Sequence, residues 1–91
     1  MKRFVVVAYD VEDDKNRRQV AKLLEAIGKR VNKSVFECFL TDNKLEKLKR
    51  AIERRVTRYD TVLYYRLCRS CIERVERQGT EGVPIEIVKI F

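Results

Sequence analysis

The chain begins with a continuous apolar run from Phe4 to Tyr9, rich in valine. A strand that is apolar on both faces is typical of the centre of a sheet, so the run predicts a central strand that Asp10 ends. The acidic residues 12–14 favour the start of a helix. Apolar positions at spacings of three and four predict the inner face of that helix, formed by Val20, Leu23, Leu24 and Ile27. Gly28 is expected to end the helix as its C-cap.

The next part of the chain repeats this alternation. Val31 begins a new extended stretch, and residues 34–40 are rich in Val, Phe and Cys, as in a strand. Residues 41–43 are expected to cap a second helix, whose apolar face consists of Leu45, Leu48, Ile52 and Val56. A further strand is predicted over residues 61–68, and a short edge strand over residues 72–78.

The predicted order β-α-β-β-α-β indicates an α+β, ferredoxin-like domain with two helices on one face of a sheet. We expect one domain over residues 1–91, because this length suits one core and no linker interrupts it. A turn over residues 79–84 leads to a last strand over residues 85–91. That strand is surplus to the core, so it pairs either with its own sheet or with the sheet of a second subunit.

Composition adds a charge signal and removes several kinds of chemistry. Lys and Arg number 21 against 14 Asp and Glu, and the net charge of +7 favours polyanionic partners such as nucleic acid. The chain has no histidine, which excludes histidine-based acid–base catalysis, triads and metal ligation. The apolar runs are far shorter than the ~20 residues of a membrane span. The N-terminal run also does not fit a signal peptide, so we expect a cytoplasmic protein with no membrane partner.

Asp10 is the first candidate for chemistry. It comes at the carboxyl end of the predicted central strand, where ligands gather in open sheets, and it follows the ring of Tyr9. The residues alone leave two interpretations open: Asp10 caps the following turn or helix, or it is a ligand. A single carboxylate is a poor Mg²⁺ site, whereas a twofold dimer with Asp10 near its axis would supply two.

The second candidate is a basic surface on the two helices. The outer face of the first helix carries Lys15, Arg17, Arg18 and Lys22. The second helix carries cations that share one face through their spacing of three and four residues, namely Lys44, Lys47, Arg50 and Arg54. Such a surface is either a solvated helix face or a surface that follows the phosphates of a duplex without reading its bases.

The third candidate is the pair Cys68 and Cys71, which forms a CxxC sequence. With Cys38 the chain has three cysteines, an odd number that we expect to be free thiols. The pair is half a zinc site, a redox pair, or two plain thiols. No histidine completes a zinc site, and the CxxC sequence is not expected to open a helix as a redox pair would. We therefore expect plain, buried or half-buried thiols.

Two segments together resemble the CRISPR-associated protein 2 family. They are Val-Val-Ala-Tyr-Asp-Val at residues 6–11 and Gly-Lys-Arg-Val-Asn-Lys-Ser-Val-Phe-Glu-Cys at residues 28–38, with Arg17 and Leu23-Leu24 between them. The specific part is the separation of the Tyr-Asp pair from Ser-Val-Phe-Glu. The rest of the chain agrees with the family in length, in spacing and in the late Leu-Tyr-Tyr-Arg-Leu-Cys strand.

The resemblance implies a homodimer in which the C-terminal strand of residues 79–91 pairs with the partner's sheet. It implies that Asp10 of each subunit faces a shared site for Mg²⁺ or Mn²⁺, and that Asp10 is the catalytic residue of a metal-dependent nuclease for single-stranded RNA or double-stranded DNA. It also implies a scaffold for protospacer DNA between dimers of the CRISPR-associated protein 1 integrase. Arg17 and Arg30 thereby become candidate phosphate contacts.

Two classes of function follow from the resemblance and the charge. We expect a scaffold for duplex DNA and the integrase in spacer acquisition, with phosphodiester cleavage as an additional capability. The alternative is a sequence-independent nucleic-acid-binding module without catalysis. The basic face of the second helix is a candidate DNA surface in both, on the ground of its charge.

Overall fold

The structure is a computed structural model of the chain, and it describes residues 1–79 and 82–83. Its elements are β1 (Lys2–Asp10), α1 (Asp14–Glu25), β2 (Gly28–Asn32), β3 (Val35–Thr41), α2 (Asp42–Glu53), β4 (Thr61–Leu67) and α3 (Arg69–Glu73). The four strands form an antiparallel sheet of order β2-β3-β1-β4. The predicted α+β core with the order βαββαβ is therefore confirmed, whereas the predicted last strand over residues 85–91 lies outside the described residues.

The main core lies between α1, α2 and one face of the sheet. Side chains alternate along a strand, so β1 directs every second residue to this core, namely Val5, Val7 and Tyr9. The helices bury most of the apolar positions that the spacing predicted, namely Val20, Leu24, Leu45, Leu48 and Ile52. Val56, predicted on the second helix, lies beyond its end at Glu53 and is partly buried against the core. The central position of β1 is confirmed, because it pairs with β3 on one side and with β4 on the other.

Helices α1 and α2 begin at the polar residues that were predicted to start them. The carboxylate of Asp13 accepts a hydrogen bond from the backbone N–H of Asn16 at 2.9 Å. The hydroxyl of Thr41 accepts one from the backbone N–H of Lys44 at 3.3 Å. Each bond satisfies one of the free N–H groups at a helix start.

Helix α1 ends earlier than the apolar spacing predicts. Its C-cap is Ala26, which keeps a right-handed conformation, so the prediction of Gly28 as C-cap was wrong. Ile27 consequently lies beyond the helix and is exposed. Gly28 instead opens β2, where a Cβ would lie 2.6 Å from the sulfur of Cys38 and 2.6 Å from the carbonyl oxygen of Glu37. The glycine is needed for this close approach of the two strands.

The opposite face of the sheet carries a smaller apolar cluster. Phe4 and Ile72 are buried there, with Val6, Phe39, Leu67 and Val83 packed around them. Ile72 belongs to α3, so the prediction of a short edge strand over residues 72–78 was wrong. The chain turns directly after β4, with Cys68 as N-cap, and this turn returns Ile72 to the ring of Phe4.

A buried ion pair attaches the segment after α3 to the same face. The carboxylate of Glu37 accepts two hydrogen bonds from the guanidinium of Arg77, at 2.9 and 2.5 Å, and one from the backbone N–H of Val83 at 3.1 Å. These three donors compensate the burial of the Glu37 charge.

Among the described residues, none of the helices is long and apolar enough to cross a lipid bilayer.

Candidate nucleic-acid and metal sites

Asp10 lies at the end of β1 on the face of the sheet opposite to α1 and α2. Residues directly opposite one another in an antiparallel pair share a face, and Asp10 pairs with Thr61 while Ala8 pairs with Leu63. The side chain of Asp10 is exposed and makes no hydrogen bond or ion pair within the part of the chain that the structure describes. Its carboxylate oxygens are therefore available to a ligand.

The loop between β1 and α1 is closed by other carboxylates. Asp13 caps α1, and Asp60 accepts backbone hydrogen bonds from Thr57 at 2.8 Å and from Glu12 at 3.1 Å. The bond from Thr57, and after it the bond from Glu12, lowers the pKa of the Asp60 carboxyl. The interpretation of Asp10 as a cap is therefore not supported. The sequence does not indicate this function of Asp60, because the N–H group that it accepts from belongs to Glu12, 48 positions away in the chain.

A metal ion needs more ligands than one described chain offers near Asp10. No group of three or more Cys, Asp and Glu residues within residues 1–79 and 82–83 is arranged to hold one. Asp10 fits Mg²⁺ or Mn²⁺ in chemistry, because it is a hard oxygen donor, but it supplies one carboxylate. The metal site shared by Asp10 of two subunits stays a prediction.

Arg17 stabilises the loop that follows Asp10. Its guanidinium donates to the carbonyl oxygens of Val11 at 3.1 Å and Glu12 at 3.4 Å, and it pairs with the carboxylate of Asp14. These bonds hold the start of α1 against the end of β1. The side chain is still 45% exposed, and its contact with a phosphate stays a prediction.

Arg30 and Arg17 lie at the same end of the main core, around the hydroxyl of Tyr9. Arg30 is exposed on β2, with its guanidinium carbon 5.1 Å from the centre of the Phe36 ring. Burial raises the pKa of Tyr9, while the positive charges of Arg30 and Arg17 oppose this shift. Two of the predicted phosphate contacts, 13 positions apart in the chain, thus act on the same tyrosine.

The predicted basic face of α2 is present and is uncompensated. We call it the basic stripe; its members are Lys44, Lys47, Arg50 and Arg54, all exposed. Their side chains make no ion pair or hydrogen bond within the described residues. The neighbouring carboxylate of Glu46 instead interacts with Lys49 at 3.6 Å and with Arg66 at 3.8 Å. The positive potential of the stripe is therefore directed to solvent.

The CxxC pair differs from the expectation in two respects. Cys68 and Cys71 are free thiols, as predicted, but both are exposed, and the sequence does open a helix, α3. Their sulfurs lie 3.3 Å apart. Cys38 is also free and is buried in the main core, where burial raises the pKa of its thiol to about 11. The prediction of buried or half-buried thiols was therefore wrong for Cys68 and Cys71.

Comparison with known proteins decides the family. The family model described as CRISPR associated protein Cas2 matches residues 1–75.

The chain belongs to the Cas2 family.

The family resemblance inferred from the Tyr-Asp and Ser-Val-Phe-Glu segments is thereby confirmed. CRISPR-associated endoribonuclease Cas2 1 of Chloroflexus aurantiacus is 40% identical over 85 residues, which cover 91% of this chain and 90% of that protein. The crystal structure of hypothetical protein TT1823 from Thermus thermophilus has a TM-score of 0.77 at 38% identity and covers 90% of this chain and 95% of its own. A chain of a partial Cas6-RT-Cas1–Cas2 complex has a TM-score of 0.69 at 29% identity, covering 82% of this Cas2 chain and 89% of its own.

Proposed function

We propose that this Cas2 protein is a dimeric scaffold that holds duplex DNA beside the Cas1 integrase during spacer acquisition. The observation that carries the proposal is the basic stripe of α2, four exposed cations without a carboxylate partner in the described part of the chain. Such a stripe binds the phosphates of a duplex whatever its sequence. The Cas1 partner is supported by the similarity to a chain of the Cas6-RT-Cas1–Cas2 complex. Arg17 and Arg30 add candidate phosphate contacts.

The stripe can be tested by neutralising two of its members. In Lys47→Gln/Arg50→Gln we expect weaker binding of duplex DNA. The magnitude of the negative slope of log affinity against log salt concentration should decrease by about 2. The reason is that two phosphates are no longer contacted and keep their counterions. Fluorescence anisotropy with a labelled duplex at several salt concentrations measures both quantities.

The matched control is Lys49→Gln/Arg66→Gln, which removes the same net charge from residues whose cations interact with Glu46. We expect this control to change the slope by much less. If both double variants lose affinity and slope equally, the net charge of the protein binds DNA and the stripe has no special role.

We propose further that the dimer forms through the open face of the sheet, the surface around Ala8, Asp10, Leu63 and Tyr65. Leu63 is 46% exposed and Tyr65 is 51% exposed, which is unusual for large apolar side chains side by side on a sheet. A second copy that covers this face would bury both and bring the two Asp10 carboxylates near each other.

A second function, metal-dependent phosphodiester cleavage, is favoured by the exposed, unpartnered carboxylate of Asp10. Two Asp10 side chains in a dimer would hold Mg²⁺ or Mn²⁺. When bound, the ion would supply Lewis acidity toward the phosphate and its attacking water. The relatives named endoribonuclease Cas2 support this activity, with single-stranded RNA and double-stranded DNA as candidate substrates.

The nuclease proposal predicts that Asp10→Asn separates cleavage from binding. We expect metal-dependent cleavage of labelled RNA or DNA to fall at least about 100-fold, because the amide is a neutral and weaker ligand. Duplex affinity should change by less than twofold. The assay compares Mg²⁺, Mn²⁺ and a chelator on both substrates.

Glu12→Gln is the matched control, since Glu12 is an exposed acid two positions away that bonds to Asp60 and Arg17 through its backbone N–H and carbonyl groups. It should keep full cleavage. Cleavage that survives in Asp10→Asn, or in the presence of chelator, would exclude Asp10 as the metal ligand. A wild-type protein that binds duplex DNA but cleaves neither substrate would leave the scaffold function alone.

A further inference from the structure

The CxxC pair is used by neither the basic stripe nor Asp10, and its geometry is that of a reactive dithiol. Both thiols are exposed, and their sulfurs lie 3.3 Å apart. A disulfide bond is about 2.05 Å long, so the sulfurs need to approach by little more than about 1 Å. The i, i+3 spacing of Cys68 and Cys71 across the first turn of α3 places the side chains on one side of that turn.

Ser70 favours ionisation of the Cys68 thiol over that of Cys71. Its hydroxyl oxygen lies 3.2 Å from the sulfur of Cys68. When Cys68 is ionised, the hydroxyl of Ser70 and then the N–H and thiol of Cys71 donate hydrogen bonds to it, and together they lower the pKa of Cys68 to about 7. The same hydrogen bond and the charge of the Cys68 sulfur raise the pKa of Cys71. Near neutral pH one sulfur is therefore nucleophilic and the other is held protonated beside it.

A redox role was not expected from the sequence, because the CxxC pair was not expected to open a helix. The presence of α3 removes that objection. The CxxC sequence begins a helix directly after a strand, with Cys68 at the N-cap position. The helix is anchored by Ile72, which is buried on Phe4. The two sulfurs are thus held in a fixed relation by a packed element, which lowers the entropic cost of joining them.

We propose that Cys68 and Cys71 form a thiol–disulfide redox pair that exchanges with low-molecular-weight disulfides. In the first step the Cys68 thiolate attacks one sulfur of the disulfide RSSR, which forms a Cys68–SR bond and releases one thiolate RS⁻. In the second step Cys71 gives its proton to solvent and attacks the sulfur of Cys68. This forms the intrachain disulfide and releases the second RS⁻. Two electrons pass from the cysteines to RSSR, which is reduced to two thiols.

The test is reaction of the full chain with glutathione disulfide near neutral pH, followed by alkylation and intact-mass measurement. We expect a single chain that is lighter by two hydrogen atoms. Its remaining thiol, Cys38, should be alkylated only after the chain is unfolded, since it is buried. Cys38 is therefore an internal control for non-specific oxidation.

Two serine variants test the order of attack. Cys71→Ser is expected to stop as a mixed disulfide on Cys68, heavier by one glutathionyl group, because the attacking thiol remains and the resolving thiol is absent. Cys68→Ser is the matched control and is expected to react about threefold more slowly, because Cys71 without Cys68 is an ordinary thiol. Circular dichroism should show that both variants keep the fold, since both positions are exposed.

Three outcomes would overturn the proposal. The wild-type chain could remain fully reduced while Cys71→Ser gains no glutathionyl group. The oxidised product could join two chains instead of closing within one. Equal reaction rates of the two serine variants would remove the assigned order of attack.

Discussion

Gly28 allows β2 to approach β3 more closely than a residue with a Cβ could. A Cβ at this position would meet the sulfur of Cys38 and the carbonyl oxygen of Glu37, each at 2.6 Å. The carbonyl cannot withdraw freely, because Glu37 belongs to the central part of β3 and pairs with Val6 of β1. Overpacking against backbone in a paired strand costs about 1–3 kcal/mol.

We therefore expect Gly28→Ala to lower the free energy of unfolding by about 1–3 kcal/mol, measured by urea denaturation. The control is Lys29→Ala in the same strand, where the side chain is exposed and the change should stay within about 0.5 kcal/mol. A Gly28→Ala variant as stable as the control would show that β2 shifts to accommodate the methyl group.

Asp10 and Asp60 show what a sequence can and cannot indicate at this scale. Asp10 could be singled out because it ends an apolar strand, and its unpartnered, exposed carboxylate fits that choice. Asp60 could not be found, because its function is to accept the N–H of Glu12 from a distant part of the chain. The cap of α1 by Asp13 argues against Asp10 as the cap, whereas its role as a metal ligand stays a prediction.

At the scale of elements, the spacing of apolar residues predicts a helix only if the helix has several turns. Helices α1 and α2 have 12 residues each, enough turns for the apolar spacing to show, and both were predicted. Helix α3 has five residues, too few for a period, so a contact decides its structure. That contact joins Ile72 to Phe4 on the second face of the sheet. Residue spacing in the chain carries no information about it.

The strand β1 was predictable for the same reason that it is central. Its residues alternate between two apolar environments, the main core at Val5 and Val7 and the smaller cluster at Phe4 and Val6. A strand apolar on both faces reads as a continuous run in the sequence. The end of α1 was missed because Ile27 continues the helical spacing although the chain already turns at Ala26.

At the scale of the whole molecule, two proposed functions use opposite sides of the sheet. Helix α2 covers one face and directs its basic stripe outward, while Asp10, Leu63 and Tyr65 lie on the open face. Two copies that join through their open faces would leave both basic stripes outside. The same dimer would place the Asp10 carboxylates at its centre, so self-association, metal binding and DNA holding are compatible in one assembly.

This arrangement predicts that charge on the open face separates the subunits. In Leu63→Lys/Tyr65→Lys we expect the dimer dissociation constant to rise at least about tenfold, because two apolar contacts are lost and two like-charged pairs would face each other. Sedimentation equilibrium measures this constant. Since one chain carries one Asp10, metal-dependent cleavage should decline together with the dimer, whereas each basic stripe keeps its contacts with phosphate.

The control is Tyr59→Lys, which adds a positive charge at another exposed tyrosine. Tyr59 is 68% exposed in the turn before β4, with the guanidinium of Arg58 against its ring at 4.9 Å, and it lies outside the sheet. Its variant should remain as dimeric as the wild type. If Tyr59→Lys dissociates the dimer and the double variant does not, the subunits join through another surface. The two Asp10 carboxylates would then not be brought together by the open face, and the proposal of a shared ion would fail.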